Sequence, residues 1–152
     1  DSLNFLLIFP DAGWICQVTH LLIGHRYPAA DAALESTDYL TRLDAYTFHE
    51  GFAHLLSYQA TEIDCVNWHT PQLTEVAAAS RAKLRLALTE TDPDRQKQFL
   101  EEAVCGSYYE KFACMCGMLY LADRWETQGI NGLQSAFADY HGFAQRALSI
   151  RI

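Results

Sequence analysis

The chain predicts a mainly α fold, and three observations predict it. Apolar residues recur at helical spacing through most of the 152 residues. Helix-start signals repeat along the chain, as Ser36-Thr37-Asp38, Thr70-Pro71 and Asp92-Pro93. Only one stretch, Leu3 to Phe9, reads as a short buried strand. It is stopped by Pro10-Asp11-Ala12-Gly13, so one or two strands are expected at the start at most.

Taken in order, Trp14 to His25 reads as a helix with an apolar stripe of Trp14, Ile15, Val18, Leu21 and Leu22. Cys16 and His20 lie four apart on it and could share a metal. No acid stands beside them, and they are read as core and cap residues. Arg26-Tyr27-Pro28 breaks the chain, and a short helix follows with Pro28 in its first turn. The central helix is expected over Tyr39 to Gln59. Its apolar residues are spread around the circumference, the mark of a buried helix. Thr61 to His69 is irregular. Helices are then expected over Gln72 to Thr89, Arg95 to Cys105 and Tyr108 to Glu126. A turn at Gly129 to Gly132 precedes two short helices, Leu133 to Ala138 and Phe143 to Leu148. No repeat, low-complexity tract or linker divides residues 1–152, which are read as a single domain, possible as a fragment of a longer protein.

The net charge is −8, with 11 Lys plus Arg and no basic cluster. That argues against nucleic acid or an anionic membrane as partner. No apolar run approaches the ~20 residues of a transmembrane helix. The five cysteines are odd in number and form no C-x-x-C pair. Free thiols in a reducing, cytoplasmic compartment are the expectation.

The chemistry concentrates in His49-Glu50-Gly51-Phe52-Ala53-His54. Two imidazoles and a carboxylate in a buried helix can hold Zn²⁺ and work on its water. The spacing is H-E-x-x-x-H. On a regular helix, positions five apart point to different faces, while Glu50 and His54, four apart, share one. His49 and His54 reach one ion only across a widened turn, which Gly51 would ease. Otherwise Glu50 and His54 form an i,i+4 pair and His49 is a core histidine. Both arrangements are open from the sequence. Burying a carboxylate without compensation is costly, which favours a cation. A third donor is sought at Glu110, which Ser107 also explains as a capping box. Glu101, Glu102 and His141 come next.

The H-E-x-x-x-H stretch, with Glu110-Lys111-Phe112-Ala113, Gly117 and Leu119-Tyr120-Leu121 after it, resembles the gluzincin zinc peptidases. The spacing is that of the dipeptidyl peptidase III family, and the Tyr-Tyr-Glu…Gly pattern is similar to small bacterial zinc-dependent peptidases. The resemblance covers two helices. It implies Zn²⁺ on His49, His54 and Glu110, with Glu50 as general base toward a peptide or protein substrate. Tyr109, Tyr120 or His141 would assist at the oxyanion. Two departures stand out: Cys114 occupies the place of an acid that would orient a ligating His, and Ala53 replaces a Gly. The rival expectations are a non-catalytic helical interaction domain and a degenerate peptidase-like domain. A di-iron bundle is disfavoured, since its Glu-x-x-His motif is absent.

Overall fold

The computed structural model describes residues 12–151, and among them every regular element is helical. The Leu3–Phe9 strand expectation falls outside the described residues. The helices are α1 (Ala12–Arg26), α2 (Pro28–Ala33), α3 (Tyr39–Ser57), α4 (Pro71–Thr89), α5 (Pro93–Val104), α6 (Phe112–Phe137) and α7 (Phe143–Ala147). Single 3₁₀ turns lie at Tyr58–Ala60, Ile63–Cys65 and Tyr108–Glu110.

The start signals act as read. Asp38 accepts a hydrogen bond from the Thr41 N–H at 2.8 Å, and Thr70 accepts one from the Leu73 N–H at 3.2 Å. Asp92 accepts from the N–H groups of Asp94 and Arg95. Each satisfies donors that the first helical turn leaves without an intrahelical partner. Pro71 and Pro93 stand at the starts of α4 and α5, where a missing N–H costs nothing.

α3 and α6 form the axis of the fold and share its largest helix–helix contact. α1, α2, α5 and α7 also pack on α3, and α4 packs on α6. From Phe112 to Ala122, α6 is buried on every side. Phe48 is the hub of an aromatic cluster. Its ring lies 5.2 Å from those of Phe52 and Phe143 and 5.5 Å from that of Phe137.

The two axial helices approach at glycines. A Cβ on Gly51 would come within 2.8 Å of the Gly117 backbone, and one on Gly117 would strike the Thr47 carbonyl oxygen. Gly51 is therefore required for close approach of the backbones. Of the two arrangements open from the sequence, a widened turn and a regular helix, α3 takes the second and runs as an uninterrupted α-helix from Tyr39 to Ser57.

Two boundaries differ from the sequence reading. The segment expected to begin a helix at Tyr108 makes a separate 3₁₀ turn, and Lys111 is non-helical (φ −70°, ψ 85°), so α6 starts at Phe112. At the far end, Gly129 adopts φ 59°, ψ −144° inside α6. A left-handed φ suits glycine, so the expected break falls at Gly129, but it is a one-residue kink rather than a turn over Gly129 to Gly132, and the helical piece after it runs to Phe137.

Candidate metal centre

α3 brings Glu50 and His54 to one face, as four-residue spacing on a regular helix demands. The His54 Nδ1 lies 2.9 Å from the Glu50 carbonyl oxygen and 3.4 Å from its Oε2. An N–H donated to that carbonyl leaves Nε2 with the lone pair, the arrangement that orients ligating histidines. The first turn of α6 presents Cys114, whose Sγ is 3.8 Å from Glu50 Oε2 and 3.6 Å from the Ala103 carbonyl oxygen. Ligand atoms of Glu50, His54 and Cys114 all lie within 4.8 Å of one another. They form the one such group of three among the described residues.

α1 closes the other side. His20 Nε2 is 3.4 Å from Glu50 Oε1. The carboxylate thus meets His20 through one oxygen, and His54 and Cys114 through the other. The Glu50 side chain keeps 24 % of its exposure and that of His20 keeps 32 %, so the centre is reachable from solvent. The His54 ring is flanked by that of Tyr108, 5.3 Å away.

His49 points elsewhere. It is 1 % exposed, and neither ring nitrogen has a hydrogen-bond partner among the described residues. Its ring lies 5.8 Å from that of His20 and nearly parallel to it, at 10°. Burial, aided by repulsion from His20, depresses its pKa to about 4. Burial also lowers that of His54, against the pull of Glu50. The Cys114 thiol is pushed well up by burial and then by the Glu50 charge. The same two causes raise Cys16. A neutral His54 imidazole and a protonated Cys114 thiol beside Glu50 are the state expected without a cation. A bound cation reverses the preference of the thiol.

The other residues singled out in the sequence are not gathered here. Glu110 is exposed on the Tyr108–Glu110 turn, where Ser107 holds its carboxyl below the usual range. Ser107 makes no cap bond of its own to that turn. Tyr109 is half-buried, its hydroxyl 3.3 Å from that of Tyr58. His141 is exposed and paired with Asp139 at 2.7 Å. Glu102 pairs with Lys83 on the α4–α5 surface. His20 and Cys114, in contrast, belong to the centre. The Cys16/His20 spacing on an apolar helix was the available signal for α1. For Cys114 the available signal was its place in the resemblance, where an acid would orient a ligating His; its direct approach to Glu50 was not legible.

A thiol, an imidazole and a carboxylate suit Zn²⁺ or a similar borderline ion. Mg²⁺ and Ca²⁺ take oxygen ligands. Around a tetrahedral zinc, ligand atoms stand about 3.3–3.8 Å apart, given bonds of roughly 2.0–2.3 Å. The observed spread is within about 1 Å of that, so the donor set fits such an ion with small side-chain adjustments. All five cysteines are free thiols, and no helix among the described residues is long and apolar enough to cross a membrane. No protein-family model, curated protein or solved structure matches the chain.

Proposed function

We propose that this chain is a zinc-binding helical protein with hydrolytic chemistry, and that Glu50, His54 and Cys114 hold the ion. The observation that carries the reading is the convergence of these three donors from α3 and α6 within 4.8 Å. Three protein ligands leave a coordination position free, the pattern of catalytic zinc sites. Bound there, Zn²⁺ would supply a Lewis acid and lower the pKa of a coordinated water toward about 7.

The protein groups have defined tasks in this reading. His54 Nδ1 is held by the Glu50 carbonyl, which fixes the ring and leaves Nε2 as the nitrogen free to bind. Glu50 would bind through Oε2, and its Oε1 lies 3.4 Å from His20 Nε2. His20 reaches solvent, which places an imidazole between Glu50 and bulk water. The peptide substrate rests on the sequence resemblance alone.

The zinc-peptidase arrangement of His49, His54 and Glu110, with Glu50 as base, is the second reading. It would need α3 to widen and the Tyr108–Glu110 turn to fold back toward His54. One experiment separates the two: elemental analysis of tag-free protein beside His49→Ala, His54→Ala, Glu110→Ala and Cys114→Ser. Near-stoichiometric zinc lost in His54→Ala and Cys114→Ser, but kept in Glu110→Ala, supports the Cys114 site. Loss in Glu110→Ala with retention in Cys114→Ser supports the other. A parent that takes up no zinc overturns both. Given a metal site, hydrolysis is tested with a peptide and ester panel, comparing Glu50→Gln and His20→Ala with the parent.

A further inference from the structure

We propose that a cavity of about 450 Å³, between α4, the end of α5 and the Tyr108–Glu110 turn, binds a small organic cation, an ammonium carried on an apolar or aromatic body. The cavity contains none of Glu50, His54 and Cys114, and the inference does not rest on the zinc reading.

The first ground is size and charge. Small-molecule sites run from about 300 to 1,000 Å³, are mostly apolar and carry a few polar groups. Here Ala79, Tyr109 and Phe112 supply apolar wall. Lys83 is the one cation in the lining, and it is already engaged. Its Nζ pairs with Glu102 and lies 5.6 Å from the centroid of the Phe112 ring. Glu110 is left over, with no ion pair of its own among the described residues. Its carboxylate leans toward the rim at Gly106, where a Cβ would stand 3.8 Å from Oε2. Hydrogen bonding from Ser107 holds that carboxyl below the usual range, so it is ionised at neutral pH. One ammonium against two carboxylates leaves the lining with a single negative charge, which an organic cation matches. Lys83 over Phe112 shows that an ammonium sits well against this wall. A metal ion is the poorer guest, because Glu102, Cys105 and Glu110 do not converge as donors. Among the described residues only Glu50, His54 and Cys114 do.

The second ground is independent of the first. Ser80 lines the cavity at 4 % exposure, and its hydroxyl makes no hydrogen bond among the described residues. Other buried helical hydroxyls bond back to the carbonyl four residues before, as Thr47 does to Leu43 and Ser57 to Ala53. A hydroxyl held out of bulk water without a partner is costly. An ammonium brings three donors and no acceptor, which suits two acceptors, the Ser80 oxygen and the Glu110 carboxylate.

The test is thiol footprinting on the full chain. Cys105 is an exposed thiol in the lining, and Cys65 is an exposed thiol outside it. Alkylation by iodoacetamide is followed at each by peptide mass spectrometry. Phenethylammonium, phenethyl alcohol or phenylacetate is added up to about 10 mM, the range in which ligands of this size bind. The ammonium is expected to slow Cys105 about threefold or more, the factor 1 + [L]/Kd at a Kd of a few millimolar, and to leave Cys65 unchanged. The alcohol and the carboxylate are expected to protect neither. Glu110→Gln should remove the protection, and Ser80→Ala should weaken binding by about fivefold. Glu102→Gln combined with Glu110→Gln turns the lining positive, and phenylacetate should then become the protecting guest. Glu110 is exposed, so its variant keeps the test open should Ser80→Ala fail to fold. No protection of Cys105, or equal slowing of Cys105 and Cys65, overturns the site. Equal protection by all three compounds overturns the preference for a cation, as does protection that survives Glu110→Gln unchanged.

Discussion

Asp44 and Glu50 are carboxylates six residues apart on α3, and their surroundings differ in kind. Asp44 accepts hydrogen bonds from the backbone N–H groups of Gly142 and Ala144, at 2.7 and 2.9 Å. Both of its oxygens are occupied, and its contacts join α3 to the start of α7. Burial raises its pKa, and those same N–H groups oppose the rise. Among the described residues no backbone N–H donates to the Glu50 carboxylate; it is ringed by His20, His54 and Cys114, each able to give up a proton and bind an ion. A carboxylate satisfied by fixed peptide dipoles has its structural reason complete. One surrounded by ionisable side chains does not, and that difference separates an anchor from a candidate reactive centre.

The largest expected effect is on the Glu50 side. Cys114→Ser and His54→Ala should each weaken zinc binding by at least about tenfold, as measured by competition with a chromophoric chelator. Asp44→Ala should leave that affinity unchanged. Equal losses in all three would erase the distinction between the two carboxylates. Next comes the contact that brings α6 to α3. Gly117→Ala puts a Cβ against the Thr47 carbonyl and the Gly51 backbone, neither of which can yield cheaply. A loss of about 3 kcal/mol or more in chemical denaturation is expected, together with weaker zinc binding. Full stability in this variant would show that the helices can separate without cost.

Asp44→Ala should itself cost about 2–4 kcal/mol, since two hydrogen bonds to a charged acceptor are lost and two N–H groups are left behind. Asp44→Asn should cost less, because an amide oxygen can keep one of them. The same denaturation assay reads both.

A smaller, pH-dependent effect belongs to His49. Its native pKa is about 4, while an unfolded histidine titrates near ~6.5. Between these values the unfolded chain binds the extra proton, so stability rises with pH. The contribution is full above about pH 6.5 and is lost as pH falls toward 4, by at most about 3 kcal/mol. Metal-free His49→Gln should show a flatter profile over that window. An unchanged slope would assign the acid sensitivity to His54 or to another group. The smallest effect is expected at the surface. His141→Ala and Glu110→Ala should each leave the denaturation midpoint and the metal content unchanged.

Much of the local structure was legible because its causes are local. Asp38, Thr70-Pro71 and Asp92-Pro93 start helices through contacts within three residues. The apolar run after Lys111 forms the buried part of α6. The pairing of Glu50 with His54 follows from helical pitch alone. So does the divergence of His49 from His54 once α3 keeps a regular turn. Glu110 was harder to place. A capping pattern and a helix ligand look alike in sequence, and a single non-helical residue, Lys111, sets Glu110 on its own turn outside α6.

By itself, the sequence determined the helical class, the helix starts and the face that Glu50 shares with His54. Only the tertiary structure decided which groups meet that face: His20 from α1 and Cys114 from α6, with Glu110 left in solvent. The physical reason is range. Capping and i,i+4 spacing are fixed by the pitch of one helix. The approach of Cys114 to Glu50 depends on two glycines, 66 residues apart in numbering, whose missing side chains let α3 and α6 touch backbone to backbone.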